Sequence, residues 1–373
     1  MSDDSESGLA EHLVNVARRH QAPPRQQPSA EKVSITRVGH FHGNFPGSFW
    51  LSSAWSPDGS QLAYGGKTQQ GSGVLQAWDG ESGHHEAFGM RHLTHGVTGP
   101  VISLAWAPDS KHLASLESHH KSGHLTVHIR SQAERSRAID LPSGLPAAQV
   151  TWSPDGSLLA LSGPDCRGTI LLDPSSGSQR RVLDGVSGPV AWEPEGRLIA
   201  AVEGTGVALF DPVTGQRSRT LTVQQHKPTA VAWARHGRYL AVADGEDILV
   251  WDVEAGSQRW RLPWTTAQGD RGPDSTVTAI EWLDGGGYLL EFRRQGGAWR
   301  DEQGSTVSTA ILWDIETGKW QFVELFYETS RTGGRRPIAG MALAPDARRI
   351  ALAFDTATPV IWQITGDLPS YKP

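Results

Sequence analysis

The sequence predicts an all-β protein, a seven-bladed β-propeller of four-stranded antiparallel blades, and two repeated motifs carry that prediction. The first motif is a turn of the form Trp-x-Pro-Asp-Gly, which reads WSPDG at Trp55 and at Trp152. The second is a short apolar strand that ends in Trp-Asp or a relative of it, as at Trp313. Recurrence at a period near that of propeller blades indicates a repeat architecture. The turn motif starts at Trp55, Trp106, Trp152, Trp192, Trp233, Trp282 and, with the Trp lost, at Leu343.

Each blade follows from these motifs in chain order. Strand a runs into the Trp, and the next residues form a type I turn in which Pro presets φ and Gly suits the last position. Strand b follows, strand c ends in Trp-Asp, and a Gly-containing turn leads into strand d. Because no such sheet buries both of its faces alone, we expect the blades to stack radially with the large Trp side chains between them.

The seven turns, the Gly39–His40 pair and the pairs Trp78–Asp79, Trp251–Asp252 and Trp313–Asp314 resemble the WD40 β-propeller family. The related TolB-like propeller also uses Ser-Pro-Asp-Gly turns, but seven copies and the Trp-Asp pairs favour the WD40 pattern. The sequence departs from the family at the Gly-His position of most blades and at the Trp-Asp position of blades 2, 3, 4 and 7. The resemblance therefore implies an incomplete version of the family's buried His–Asp–Ser/Thr–Trp network.

The chain is expected to form a single propeller domain over residues 32–373, preceded by a tail over residues 1–31. After Leu343 only strands a, b and c fit, so residues 32–38 should supply the missing strand d and close the ring, which removes open sheet edges. Within the tail, apolar spacing predicts a short amphipathic helix over about residues 7–20, followed by a Pro-rich linker. Its residues Leu9, Leu13 and Val16 would dock into a groove of a partner, with a floppy tail as the alternative.

Composition excludes several classes of protein. The chain has 373 residues, of which 38% are hydrophobic and 20% charged, a balance typical of packed globular domains. A net charge of −6 disfavours a dedicated duplex-DNA binder. The single cysteine, Cys166, excludes an internal disulfide framework and a Cys-rich zinc module. Since no membrane-length apolar run and no secretory signal are visible, we expect a cytoplasmic protein, and its Arg-rich basic set resembles bacterial GC-rich coding.

The connections from strand b to c and from strand d to the next strand a share one face of a propeller, and they are long in blades 5 to 7. Residues 263–275, 293–309 and 326–337 hold aromatic and arginine side chains of the types enriched at binding hot spots. Loops on a rigid scaffold are also where binding function tends to lie. The predicted partner-binding face contains Trp264, Arg271, Arg293, Arg294, Trp299, Arg300, Tyr327, Arg331, Arg335 and Arg336.

Histidine is concentrated in the first part of the chain, where 13 of 15 histidines precede residue 130. Three pairs fall on connections of the same face, and such clusters can bind Zn²⁺ or respond to pH. The alternative is that they are solvated surface side chains together with one structural histidine, His40, and it is favoured because no carboxylate completes a known metal-ligand spacing. The candidate metal ligands are His40, His42, His92, His95, His119 and His120.

No nucleophile and base stand at a recognisable catalytic spacing, so the sequence favours a non-catalytic scaffold for protein–protein interaction. The expected partner is a protein, with no cofactor, no dedicated nucleic-acid binding, no membrane and a monomeric propeller in isolation. Two alternatives remain open at this stage: a sensor module for a metal or small molecule, and an enzyme that uses the axial opening. Fold-level analogy by itself is weak evidence for any of these functions.

Overall fold

A computed structural model describes twelve stretches of the chain. Their residues form seven antiparallel sheets, six of four strands and one of three, so the predicted all-β seven-bladed propeller is confirmed. Blade 1 has three strands in the described part of the chain, where four were predicted. None of the described residues forms a helix with the length and hydropathy that a membrane crossing requires. The described residues are 34–40, 48–80, 97–119, 122–131, 136–223, 226–245, 247–263, 275–283, 286–295, 308–323, 338–354 and 360–365.

Blades 1 to 4 take their strands from consecutive segments of the chain, and the innermost strand of each blade ends in the Trp of the turn motif. Blade 1 comprises β2 (Ser48–Trp55), β3 (Gln61–Thr68) and β4 (Gly73–Asp79). Blade 2 comprises β5 (Val101–Trp106), β6 (His112–Ser118), β7 (Leu125–Ser131) and β8 (Arg137–Asp140). Blade 3 comprises β9 (Gln149–Trp152), β10 (Leu159–Ser162), β11 (Gly168–Leu172) and β12 (Gln179–Asp184). Blade 4 comprises β13 (Val190–Trp192), β14 (Ile199–Glu203), β15 (Gly206–Phe210) and β16 (Arg217–Thr222).

Blades 5 to 7 follow the same order, except that the first of the described strands pairs with the last blade. Blade 5 comprises β17 (Ala230–Trp233), β18 (Tyr239–Asp244), β19 (Asp247–Asp252) and β20 (Ser257–Leu262). Blade 6 comprises β21 (Ser275–Trp282), β22 (Tyr288–Gln295), β23 (Ser308–Asp314) and β24 (Trp320–Val323). Blade 7 comprises β25 (Ile338–Leu343), β26 (Arg349–Phe354), β27 (Val360–Thr365) and β1 (Ser34–His40).

Strand β1 lies two residues further along the chain than the segment 32–38 that the sequence predicted. It pairs antiparallel with β27, with Ser34 opposite Thr365 and His40 opposite Val360. Because β27 is strand c of blade 7, the start of β1 lies at the same end of the blade as the other turns from strand c to d.

The turns that follow the inner strands are held by their own side chains. In the first copy, the Gly59 N–H donates to the Ser56 carbonyl over 2.8 Å, which closes the type I turn. The Ser56 hydroxyl donates to Asp58 Oδ1 over 2.6 Å, and the Ser60 N–H donates to the same oxygen over 3.0 Å. The turn at Ser153 repeats this arrangement, so the motif is explained by local hydrogen bonding.

We call the interface between two neighbouring blades a seam. Among the described residues a hydrophobic cluster fills each of the seven seams, including the one between blades 7 and 1. In that last seam Trp55 and Tyr64 of blade 1 pack with Ala351 and Ile361 of blade 7. Each blade is therefore apolar on both faces and covered on both sides, and the core of the protein is a ring of seven interblade layers.

The Trp of the turn motif makes a hydrogen bond across most of the seams. In five seams its indole Nε1 donates to a backbone carbonyl of the previous blade. The acceptor is the residue directly before the turn motif of that blade. The acceptor residue is alanine in all five cases, because a small side chain lets the indole approach the backbone. The bonds run from Trp55 to Ala342 (3.2 Å), Trp106 to Ala54 (3.1 Å), Trp152 to Ala105 (3.0 Å), Trp233 to Ala191 (3.1 Å) and Trp282 to Ala232 (2.9 Å).

Two seams depart from this rule. Between blades 3 and 4 the Trp192 Nε1 is buried without a hydrogen-bond partner, and Thr151 stands where the other acceptors are alanine. Between blades 6 and 7 Leu343 replaces the indole and Glu281 replaces the alanine. Burial raises the pKa of Glu281 to about 7, against the opposing charge of Arg235. These seams keep their apolar clusters but lack the indole bond.

We predict that Trp233→Phe lowers the free energy of unfolding by about 1–2 kcal/mol more than Trp192→Phe does. Both substitutions remove a similar volume from a seam. Only the first removes a hydrogen bond and leaves the Ala191 carbonyl without its donor. Denaturant unfolding of the two variants measures the difference, and equal losses would contradict the assignment of the indole bond as a stabilising contact.

Candidate functional site

The predicted partner-binding face is described at only one side chain, and there the prediction was wrong. Arg293 is 1% exposed, and its Nε donates to the Glu291 carboxylate inside blade 6. Alternate residues of a strand point to the same face, so Arg293 lies on the face of β22 that carries Leu289, and this face packs against blade 5. Arg294 follows it in β22, where only its backbone is described. The remaining predicted residues of this face, Trp264, Arg271, Trp299, Arg300, Tyr327, Arg331, Arg335 and Arg336, lie outside the described residues.

Arg293 belongs to a closed polar cluster in blade 6. The Trp313 Nε1 donates to Glu291 Oε2 over 2.6 Å while Arg293 engages the other carboxylate oxygen. Glu291 is fully buried, and burial raises the pKa of its carboxyl while the charge of Arg293 opposes that change. A fully buried pair of this kind has no exposed atom to offer a partner, so its role is structural.

Blade 2 holds a second buried cluster, centred on Glu117. Arg130 Nη2 lies 2.6 Å from Glu117 Oε1, and the Ser115 hydroxyl donates to the same oxygen over 2.7 Å. The Thr98 N–H donates to Glu117 Oε2 over 2.8 Å, and His128 Nε2 lies 3.6 Å from it. Burial, with the nearby Arg130 charge, lowers the pKa of His128 against the attraction of Glu117.

The two clusters occupy equivalent positions of their blades. Arg130 pairs with Leu113 across strands c and b, and Trp313 pairs with Leu289 in the same way. Arg130 therefore takes the place of the Trp of the second motif. Sequence reasoning missed both clusters, although a charged residue inside an otherwise apolar strand b was the available signal.

Of the six predicted metal ligands, the structure describes only the side chain of His119, so the metal site stays a prediction. His119 is exposed, and its ring Nδ1 lies 3.3 Å from the Ser122 hydroxyl. His40 ends β1, where its backbone alone is described, and His42, His92, His95 and His120 lie outside the described residues. Among the described residues, no three His, Cys, Asp or Glu side chains are grouped for a metal ion. The docking residues Leu9, Leu13 and Val16 also lie outside the described residues.

A groove of about 420 Å³ opens between blades 2 and 3, on the face that carries the turns from strand a to b and from strand c to d. We call this face the turn face, and the opposite one, with the connections from b to c and from d to a, the loop face. The floor and walls of the groove are apolar at Pro108, Ile129, Trp152 and Pro174. No sequence motif pointed to it, because it forms only where two blades meet.

Charged side chains, Asp109, Arg137 and Asp155, also line the groove. The Ser153 hydroxyl and the Ser157 N–H and hydroxyl donate to Asp155 and lower the pKa of its carboxyl, although partial burial acts the other way. Partial burial would also raise the pKa of Asp109, but hydrogen bonds from Lys111 and His112 outweigh it and lower the pKa. Both carboxyls are therefore ionised at neutral pH, and the groove is a mildly acidic apolar site.

An arginine of strand d donates a hydrogen bond across this seam, and this bond is longer than those of the equivalent arginines at the next two seams. Arg137 Nη1 donates to the Pro174 carbonyl over 3.3 Å. At the equivalent position Arg181 donates to the Val213 carbonyl twice, over 3.1 and 2.9 Å, and Arg219 donates to the Val253 carbonyl over 2.6 Å. Arg137 is also one of the residues that line the groove.

Comparisons with known proteins support the repeat type and go no further. No protein-family model matches the chain. A stretch of 148 residues, 38% of the chain, is 28% identical to the mouse (Mus musculus) protein Coronin-7, and it covers 14% of that protein. The match thus spans about a seventh of the length of the curated relative. The chain is a β-propeller with WD40-like repeats.

We predict that Arg293→Ala lowers the free energy of unfolding by about 3–5 kcal/mol, because it leaves the buried Glu291 carboxylate without its cation. The matched control is Arg217→Ala, which breaks the pair of Arg217 with Glu203 on the protein surface. An exposed pair of that kind contributes at most about 1 kcal/mol. Denaturant unfolding of both variants tests this prediction. If Arg293→Ala lowers the free energy of unfolding as little as Arg217→Ala does, the buried position of the Arg293 side chain is contradicted.

Proposed function

We propose that this protein is a non-catalytic scaffold for protein–protein interaction that presents its loop face to a protein partner. The observation that supports it is the difference in length among the connections. Twelve residues (263–274) separate β20 from β21, twelve (296–307) separate β22 from β23, and fourteen (324–337) separate β24 from β25. By contrast, five residues (185–189) join blade 3 to blade 4.

Long connections on a rigid scaffold are where binding function concentrates. The three long segments carry aromatic and arginine side chains, which are enriched at interface hot spots. With Arg293 removed because it is buried, the proposed face comprises Trp264, Arg271, Arg294, Trp299, Arg300, Tyr327, Arg331, Arg335 and Arg336.

Two further assignments belong to this proposal. The tail over residues 1–31 supplies a second attachment through Leu9, Leu13 and Val16, while residues 32–373 act as one propeller domain. Strand β1 serves as the closing strand of the ring, an assignment supported by its pairing with β27. A strand contributed from the other end of the domain ties the first and last blades together.

We predict that Arg335→Glu with Arg336→Glu weakens partner binding by at least about tenfold, because hot-spot arginines contribute 2 kcal/mol or more. The partner is first captured with tagged full-length protein from its native cells and identified by mass spectrometry. Its affinity for the purified variants is then measured by titration calorimetry.

The matched control carries the same charge change on the outer strands of blades 3 and 5, as Arg180→Glu with Arg259→Glu, where both arginines are exposed. We expect this control to bind the partner like the unmodified protein. If both double variants retain full affinity, the loop face is not the binding surface. If the partner is lost when Leu9 and Leu13 are replaced by Ser and retained otherwise, the tail is the main attachment.

A further inference from the structure

The seam between blades 6 and 7 departs from the repeat at two positions that belong together. Leu343 stands where the other six blades place the Trp of the turn motif. Glu281 stands directly before the motif of blade 6, where five other blades have alanine. The indole of a regular seam lies against the residue at the position of Glu281, so a leucine in its place leaves room there for a longer side chain.

The side chain of Glu281 faces this seam and no other. Its neighbours in β21, Ile280 and Trp282, pack in the cluster between blades 5 and 6, whereas Ala279 packs against the cluster between blades 6 and 7. Because alternate residues of a strand share a face, Glu281 points into the same apolar layer as Ala279. The residue is partly buried, and among the described residues its carboxyl has no hydrogen-bond partner. Such surroundings favour the neutral form of a carboxyl over the ionised form.

A cation of blade 5 acts on this carboxyl. Arg235 belongs to the turn that follows the inner strand of blade 5, and its positive charge opposes the effect of burial on Glu281. The guanidinium of Arg235 also donates to the carbonyl of Pro345, in the corresponding turn of blade 7. Arg235 therefore joins two blades that are not neighbours in the ring, and it lies close enough to blade 6 to sense the charge of Glu281.

The charged and titratable groups that blades 6 and 7 place around this seam are already satisfied or neutral. In the turn of blade 7, Asp346 accepts the backbone N–H groups of Arg348 and Arg349 and the side-chain Nε of Arg349. Tyr288 of β22 packs against the same cluster, and burial raises the pKa of its phenol above the ordinary value of 10.0. Its phenol is therefore neutral near pH 7. Asp284, in the turn of blade 6, lies outside the described residues.

The turn of blade 5 contributes one further titratable group, His236. Burial, with the nearby charge of Arg238, lowers the pKa of His236, and its ring packs edge-on against Tyr239. The imidazole is therefore neutral near pH 7. Among the described residues, Arg235 is thus the cation that can answer an ionised Glu281.

The two acceptors available to Arg235 give it two arrangements. While the Glu281 carboxyl is neutral, the Pro345 carbonyl holds the guanidinium. Once the carboxyl is ionised, it offers a charge-assisted hydrogen bond, which is about twice as strong as a bond between neutral groups. The negative charge would draw Arg235 towards blade 6 and away from blade 7.

We propose that Glu281 and Arg235 form a proton-dependent latch across blades 5, 6 and 7. Neutral Glu281 leaves Arg235 on the Pro345 carbonyl and keeps the seam closed, whereas ionised Glu281 takes Arg235 from Pro345 and loosens the turn of blade 7. The latch lies on the turn face, so it stands or falls separately from the proposed partner on the loop face.

The latch makes the stability of the protein depend on pH in a defined direction. The pKa of Glu281 is about 7 in the folded chain against an ordinary value of 4.5, so this carboxyl takes up a proton on folding. It therefore stabilises the fold at acidic pH, and this stabilisation is lost as the pH rises through about 7.

Denaturant unfolding of the full chain at pH 5 and pH 8 tests the titration. Between these values the folding equilibrium constant of the unmodified protein should fall about 70-fold more than that of Glu281→Gln, which cannot ionise. The control Glu203→Gln removes a carboxylate that is paired with Arg217 on the surface, and it should retain the full fall. Equal pH dependence of the unmodified protein and Glu281→Gln would overturn the proposal.

A second variant keeps the test decisive if Glu281→Gln does not fold. Glu281→Ala with Leu343→Trp restores the alanine and the indole of the regular seams. We expect this double variant to lack the same part of the pH dependence and to be more stable than the unmodified protein at pH 8. A double variant that retains the full fall between pH 5 and pH 8 would contradict the role of Glu281.

Amide hydrogen exchange, followed by mass spectrometry, tests the part that Arg235 plays. After correction for the intrinsic pH dependence of exchange, residues 344–349 of the unmodified protein should be about tenfold less protected at pH 8 than at pH 6. The corresponding turn of blade 3, residues 153–157, should not change. Arg235→Gln should leave residues 344–349 equally weakly protected at both pH values, and Arg235→Lys should retain part of the difference. Unchanged protection in the unmodified protein, or a full difference in Arg235→Gln, would overturn the latch.

Discussion

The apolar layer that each blade shares with both of its neighbours is the interaction on which this fold depends, and in five of the seven seams a hydrogen bond from an indole to a backbone carbonyl of the blade before it reinforces that layer. A sheet that is apolar on both faces needs a neighbour on each side, and the indole fills that layer while its N–H finds a buried acceptor. The bond imposes a second requirement that the turn motif does not show, namely a small residue directly before each Trp. Alanine meets it in five seams. Where Thr151 stands there instead, the Trp192 indole has no hydrogen-bond partner, and the seam of Glu281 has no indole because Leu343 takes the place of the Trp.

The blade count and the turns could be predicted from sequence because their determinants are local. Ser56, Asp58 and Gly59 hold their turn by contacts within a few residues, and the same is true of each complete copy. The buried clusters could not be predicted so directly, because the side of the sheet to which a residue points depends on register to a single position. Arg293 illustrates this limit: it stands near the end of a strand among other charged residues, yet its side chain is enclosed with Glu291. The groove was also beyond sequence analysis, since Pro108 and Trp152 meet only after two blades have packed.

The two faces of the ring differ in how their polar groups are satisfied. On the turn face the aspartates bind the backbone of their own turns; Asp173 Oδ1, for example, accepts the N–H groups of Ser175 and Ser176 over 2.7 and 3.1 Å. Such turns are short, internally bonded and poorly suited to rearrangement around a large partner. The loop face of blades 5 to 7 instead carries connections of twelve to fourteen residues. The turn face thus consists of short turns with their own hydrogen bonds, whereas the loop face carries the longest connections of blades 5 to 7.

Blade 2 shows how one departure from the repeat can have two consequences. Its strand c ends in Arg130 and Ser131 where the repeat calls for Trp and Asp. The guanidinium of Arg130 needs a buried counter-charge, and Glu117 supplies it from strand b, which converts an apolar position into an ion pair. The absence of an aspartate at Ser131 removes the carboxylate that caps the turn from strand c to d in blades 3 to 6, and Ser131 instead lines the groove. A departure from the repeat at two adjacent residues thus changes the packing inside the blade at Arg130 and the lining of the neighbouring groove at Ser131.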